Sequence, residues 1–321
     1  MTSRLIESRG LLEQIEIVHA PTDQDIRDKA SCAHVAIPFM QRFGADFFSP
    51  ELTPKLRLVV QFGVGLEGVD IGAASENGIA VSNVPGSMSG NAEATSEHAV
   101  FLLTSMLRHL NDLPRRFSEK CLGGLPVPRS IYGKRVTVVG FGAVGSVLCK
   151  YLVTMGAHVT AVRRNKWDDI NDDNLDSQTL NSIERAQSLE EALPGADAVI
   201  LACALTPETY QIVNESAISL LPRHAVIINV GRGPLVSYSA ISDALNTGYL
   251  SGYASDVGIG DTPEPFDPND NLAKHPNVIF TPHVGGITDY SHNKMAEIIL
   301  DSIESVIGGK QPSIWVNRPG V

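Results

Sequence analysis

The chain has 321 residues, 43% hydrophobic and 19% charged, enough for two medium domains with ordinary cores and unlike a disordered chain. Its formal net charge of −11 disfavours nucleic acid as a main partner, so none is expected, but leaves room for a local basic pocket for a small anion. Cys32, Cys121, Cys149 and Cys203 are far apart and form no CxxC, so reduced thiols and no metal are expected. The opening "MTSRLIESRGLLEQIEIVHA" has no long apolar run, and Glu7 and Glu13 speak against a transit peptide. The expectation is a soluble, cytoplasmic protein without membrane contact.

Strand-like runs alternate with helix-like segments, the pattern of an α/β protein with parallel sheets. "HVAIP" (34–38), "LRLVVQ" (56–61) and "GIAVSN" (78–83) read as early strands. An opening strand before "IEIVHA" is hard to find; either it is missing or "RLIES" is a poor remnant of it. A long amphipathic helix follows near 91–111, then the Gly- and Pro-rich loop "CLGGLPVPRSIYGK". Further strands are expected at 135–139, 158–162, 198–203, 225–229, 252–255 and 278–281. A closing helix over 288–309 carries Met295, Ile298, Ile299, Ile303 and Val306 at helical spacing.

The segment "RVTVVGFGAVGSVLCKYLVTMGAHVTAV" sets Gly140, Gly142 and Gly145 in G-x-G-x-x-G between a strand and a helix, with a second strand beyond. Alone the glycines are weak evidence; in this setting they mark a dinucleotide site. Gly140 permits the turn, Gly142 lets the backbone approach a pyrophosphate, and Gly145 lets helix and strand pack closely. At the end of the second strand an acid usually holds the ribose hydroxyls. Here "AHVTAVRRNK" places Arg163 and Arg164, with Lys166 nearby. A guanidinium can grip a 2′-phosphate through two parallel charge-assisted bonds. The residues therefore favour NADP over NAD, with NAD possible if these cations are only solvated loop residues.

Farther on, "VIINVGRGPLV" sets Arg232 between two glycines just after a strand, where parallel sheets bind ligands. "GYASDVGIGDTPEPFDPNDNLAKHPNVIFTPHVGG" carries Asp256 at a strand end, Glu264 in a loop and His283 after another strand. With "QFGVGLEGVDIGAASENGIAVSNVPG", "NAEATSEHAVFLL", "GKRVTVVGFGAVG" and "LTPET", these pieces run from about residue 56 to 288. In this order they resemble the D-isomer-specific 2-hydroxyacid dehydrogenase family, in particular its glyoxylate and hydroxypyruvate reductases.

The resemblance implies an α/β architecture of two lobes with a cleft and hinge between them. A Rossmann-type nucleotide-binding domain (111–287) is inserted into a flavodoxin-like substrate lobe (1–110 and 288–321). It also implies roles. Arg232 binds the substrate carboxylate and polarises the keto oxygen; His283 is the acid in reduction and the base in oxidation; Glu264 holds the imidazole and raises its pKa. Backbone N–H groups of Val64 and Gly65 meet the same carboxylate. Thr95, Phe141, Ala143 and Val144 join the three glycines around the cofactor. So do Leu205, Thr206, Val230, Gly231, Asp256 and Gly285, with Asp256 near the carboxamide. A homodimer is implied, with the 91–111 helix and its flanks at the interface.

The chain departs from the family in places. The usual offset from the strand-end Asp lands on Asp261, while counting back from His283 favours Glu264; a three-residue insertion in "GIGDTP" reconciles the two, with Asp261 the alternative. Ala202 and Ala204 stand where relatives often have His and Pro. In "AIPFMQRF", Phe39 and Met40 replace the arginines of phosphoglycerate dehydrogenases, which favours a small 2-keto acid such as glyoxylate or hydroxypyruvate. Two readings compete with the reductase: a phosphoglycerate dehydrogenase-like enzyme, and a nucleotide-sensing binding protein of the co-repressor kind on the same fold.

Overall fold

In the computed structural model the strand-like runs form two separate parallel sheets. The structure describes residues 2–11, 13–38, 41–63, 65–66, 68–86, 88–121, 127–164, 167, 175–258 and 267–317. The chain divides into two compact units, one of residues 1–90 with 288–321 and the other of 91–287.

The sheet of the first unit has three strands in sequential order: β1 (Val35–Ala36), β2 (Leu58–Val60) and β3 (Ala80–Ser82). Every residue of β2 and β3 is buried, as in a parallel sheet covered on both faces. Alternation sorts the side chains. Leu58, Val60 and Ala80 pack with Met295, Ile299, Leu300 and Ile303 of the helix Asp289–Ile307. Val59 and Val81 face Phe43, Phe47 and Phe48 on the other side. The closing helix starts at a capping box on Thr288, one residue inside the predicted start.

"RLIES" is not a strand. Residues Thr2–Ser8 are helical, and Ile6 is buried in the cluster built on the closing helix. Leu5 and Ile6 are adjacent rather than alternating, which suits one helix face and not a half-buried strand. Among the described residues no strand precedes β1.

The second unit carries seven parallel strands: β4 (Arg135–Val139), β5 (His158–Val162), β6 (Ile183–Ala186), β7 (Ala198–Leu201), β8 (Val226–Asn229), β9 (Gly252–Ser255) and β10 (Val278–Phe280). Their spatial order is β10-β9-β8-β7-β4-β5-β6, so the chain reverses direction across the sheet between β4 and β7, the switch point of a Rossmann fold. Strand β6 was not expected. Its sequence, Ile-Glu-Arg-Ala, buries only its two ends, too weak a period to read without the β5 partner.

One face of this sheet, through Val136, Val138, Ile200, Ile228 and Ala254, packs on the helices Asn91–Leu107 and Ala143–Thr154. The other, through Val139, Val199, Leu201, Ile227 and Tyr253, packs on Ile218, Ile241 and Leu245. The helix Asn91–Leu107 thus belongs to the second unit, and the division falls at 90/91 rather than 110/111. Ala99, Leu102, Leu103, Met106 and Leu107 bury its apolar stripe there. The helix stops at Leu107; His109 soon takes a left-handed backbone (φ 54°) that ends the regular turn.

Leu102 is fully buried in this layer. Leu102→Ala should lower the unfolding free energy by about 2–5 kcal/mol in urea denaturation followed by circular dichroism; a loss below about 1 kcal/mol would contradict this packing.

Candidate active site

The site residues of the second unit collect at the carboxyl ends of its strands. Gly140 ends β4 with φ 103°, a backbone that disfavours any side chain. A Cβ there would stand 2.7 Å from the Cys203 backbone, and one on Gly145 would stand 1.9 Å from the Gly140 carbonyl oxygen. Gly142 differs: among the described residues, its chain neighbours aside, no atom lies within 4 Å of its would-be Cβ. Protein packing explains the outer glycines, while the space at the middle one is left open for a ligand. Gly142 caps the helix Ala143–Thr154 without a side-chain bond. The first N–H groups of that helix, at Ala143, Val144 and Gly145, have no carbonyl partner in their own helix, the arrangement that suits an anion. Ser96 bonds the Val144 carbonyl (3.0 Å), tying this helix to Asn91–Leu107, on which Thr95 is buried.

Arg163 follows β5, with its guanidinium carbon 5.5 Å from the centre of the Trp167 ring; Arg185 of β6 lies 5.7 Å from the same ring. Trp167 is buried, donates its indole N–H to the Ala186 carbonyl (3.2 Å) and meets Phe141 of the glycine turn edge-on (5.1 Å). Arg163 is therefore seated on an aromatic platform next to the dinucleotide turn. Arg164 is exposed, and Lys166 lies outside the described residues. Trp167 and Arg185 were missed; a tryptophan inside the charged run "RRNKWDD" was the available signal.

Beyond β7, Leu205 and Thr206 open a turn closed by Thr209, whose hydroxyl accepts from the Thr206 N–H (2.7 Å) and donates to the Ala204 carbonyl (2.8 Å). Burial pushes the Cys203 thiol up to about 11, so it borders the turn as a neutral group. After β8, Val230 and Gly231 lead to Arg232. Buried Asn229 accepts from the Gly231 N–H (3.0 Å) and donates to the Arg232 carbonyl (2.8 Å), which shapes this turn. A Cβ at Gly231 would meet the Cys203 carbonyl oxygen at 2.8 Å, and one at Gly233 the Gly258 carbonyl oxygen at 2.2 Å. Arg232 is half-buried and bonds the Gly231 carbonyl (2.8 Å).

Asp256, after β9, is 3% exposed and serves the segment that follows β10. It accepts from the Thr281 hydroxyl (2.5 Å), the Val284 N–H (2.9 Å) and the Gly285 N–H (2.7 Å). Burial opposes its charge, but His98, Thr281 and the two N–H groups outweigh it and hold the carboxyl below its ordinary range. A lowered carboxyl pKa keeps this contribution to stability whole near neutral pH and loses it as acid titrates the folded group. His283, between these contacts, has φ 55°. Strands β8, β9 and β10 are neighbours, so Arg232, Asp256 and His283 share one edge of the sheet. Glu264 and Asp261 lie outside the described residues, as does Val64; Gly65 lies in the first unit, beyond β2.

A parallel sheet with a glycine turn at its switch point, a half-buried arginine and a histidine at neighbouring strand ends has the form of a nicotinamide-dependent oxidoreductase. Known proteins make this particular. Residues 100–285 match the NAD binding domain of the D-isomer specific 2-hydroxyacid dehydrogenases. A glyoxylate reductase of Pyrococcus horikoshii is 30% identical over 276 residues, 84% of this chain and 78% of its own. The crystal structure of a Thermus thermophilus protein superposes with TM-score 0.80 at 27% identity, covering 98% of this chain and 96% of the other. A structure of the pyruvate reductase of Chlamydomonas reinhardtii gives TM-score 0.77 at 25% identity, with 98% and 96% covered. The chain belongs to the D-isomer specific 2-hydroxyacid dehydrogenase family. It is a D-2-hydroxyacid dehydrogenase that uses a nicotinamide cofactor.

The glycines separate packing from binding. Gly145→Ala should lower the melting temperature and abolish NADPH binding. Gly142→Ala should melt close to wild type yet bind NADPH about tenfold or more weakly in a fluorescence titration. A Gly142→Ala protein as destabilised as Gly145→Ala would refute the ligand explanation.

Proposed function

We propose that the protein is an NADPH-preferring reductase of small 2-keto acids such as glyoxylate and hydroxypyruvate. The observation that carries this reading is Arg163, held over Trp167 at the strand end where a ribose-binding carboxylate would otherwise stand. Its guanidinium presents paired N–H donors to a 2′-phosphate, and Arg185 on the same ring adds positive charge. Relatives named glyoxylate reductase support the substrate class. Phe39 and Met40, which bear on that choice, lie outside the described residues.

When bound, the dinucleotide supplies the hydride; the chain supplies position, charge and a proton. The N-terminal turn of Ala143–Thr154 would hold the pyrophosphate. Arg232 pairs with the substrate carboxylate and draws electron density toward the keto oxygen. His283 gives a proton to that oxygen as it gains charge, and takes one back in the reverse direction. Glu264, with Asp261 as the alternative, keeps the imidazole protonated for reduction.

The proposal includes a homodimer. Phe101, Leu110, Leu113 and Phe117, on and just beyond the helix Asn91–Leu107, are exposed apolar side chains, Phe117 to 88%. Exposed apolar side chains so near in sequence suit a second copy of the chain.

Initial rates with glyoxylate and hydroxypyruvate should favour NADPH over NADH by about tenfold or more in kcat/KM. Arg163→Asp should erase that preference while sparing NADH; equal loss with both cofactors would overturn the phosphate assignment. Absence of turnover with any small 2-keto acid would favour the binding-protein alternative. In light scattering after size exclusion, wild type should have the mass of a dimer and Phe117→Asp should shift toward monomer; a monomeric wild type would refute the assembly.

A further inference from the structure

Asn91, Thr95 and His98 fall at i, i+4 and i+7 of one helix, on a single face. Asn91 and His98 both reach the segment after β10. The Asn91 side-chain oxygen stands 1.9 Å from where a Cβ on Gly286 would be. The His98 Nε2 lies 2.9 Å from the Thr281 hydroxyl and 3.3 Å from the nearer Asp256 oxygen. A Cβ on Gly285 would stand 2.8 Å from the other Asp256 oxygen and 3.4 Å from the His98 ring. These residues form a polar layer between helix and strand ends, with Asp256 at its centre.

The hydrogen inventory assigns the His98 proton. The Thr281 hydroxyl has one hydrogen, given to Asp256. Nε2 therefore faces two acceptors, the Thr281 oxygen and the carboxylate, and must carry the hydrogen. Asp256 in turn grips the segment on both sides of His283, through Thr281 before it and the N–H groups of Val284 and Gly285 after it. His283 is held between these grips at φ 55°, a conformation that persists only where its surroundings enforce it.

We propose that His98 is a positioning residue for the reaction: by donating into Thr281 and Asp256 it fixes the backbone that aims His283. The inference rests on reading His283 as the proton donor. It gives His98 a role that acts through Thr281 and Asp256.

The test compares His98→Phe, His98→Gln and His283→Asn with wild type. Four quantities are measured: kcat, KM for glyoxylate, NADPH affinity, and amide hydrogen exchange at Val284 and Gly285. Phe fills the space without a donor. It should lower kcat about 10- to 100-fold, leave KM and NADPH affinity within about twofold, and speed exchange at both amides. Gln restores an N–H and should recover kcat to within about threefold. Should Phe prevent folding, Thr281→Val removes the same bridge and carries the same expectation. Wild-type kcat in His98→Phe, unchanged exchange at the two amides, or a Gln variant as slow as Phe would each overturn the proposal. Failure of the underlying reading looks different: His283→Asn would keep wild-type kcat, while the exchange data would still report whether His98 holds the segment.

Discussion

At the carboxyl edge of the seven-stranded sheet, main chain meets main chain with nothing between. The Gly145 α-carbon sits against the Gly140 carbonyl, Gly231 against that of Cys203 and Gly233 against that of Gly258. Each approach is closer than any β-carbon tolerates, so each glycine is a steric requirement of the fold itself. These contacts draw the ends of β4, β7, β8 and β9 together. The start of the Ala143–Thr154 helix, the turn at Arg232 and the anchor at Asp256 all inherit their positions from them. Against this background the open space at Gly142 stands out as the place where the protein makes room for something else.

Charge is handled locally, against the overall balance. A chain of net charge −11 gathers two guanidinium groups on the Trp167 ring, where the glycine turn and β6 converge. Across the sheet, at the end of β9, a buried carboxylate is kept ionised by donors from a helix, a hydroxyl and two peptide groups. The first arrangement presents charge outward. The second turns its charge inward and converts it into geometry. The proposed reaction uses both, since recognition of a dinucleotide and placement of a proton donor call on opposite uses of electrostatics.

Much of this was legible from sequence because it depends on local pattern. Nine of the strands fall within predicted runs, for continuous apolar stretches mark buried parallel strands. Gly140, Gly142, Gly145 and Arg232 stand out by their spacing beside predicted strands. What escaped depends on partners distant in the chain. β6 has too few apolar residues to announce itself before β5 is beside it. The segment Thr2–Ser8 is helical because the closing helix, almost 300 residues on, offers Ile6 a place. The long helix near the middle was assigned to the wrong unit because its apolar stripe fits any sheet equally well on paper. His98 lay within a quoted motif, yet its value appears only when Thr281 and Asp256 are brought to it.

Among the described residues strand β6 has one neighbour, so one row of its peptide groups faces away from the sheet. An open edge of this kind invites another chain to pair with it, and a charged, short strand resists. Glu184 and Arg185 fill the middle of β6, both exposed. Arg185 therefore guards the border of the sheet while leaning on Trp167. An apolar residue at 185 would alter the electrostatics beside the tryptophan and also strip the border of a charge. Under the proposed preference for NADPH, selectivity and solubility are coupled at that one position.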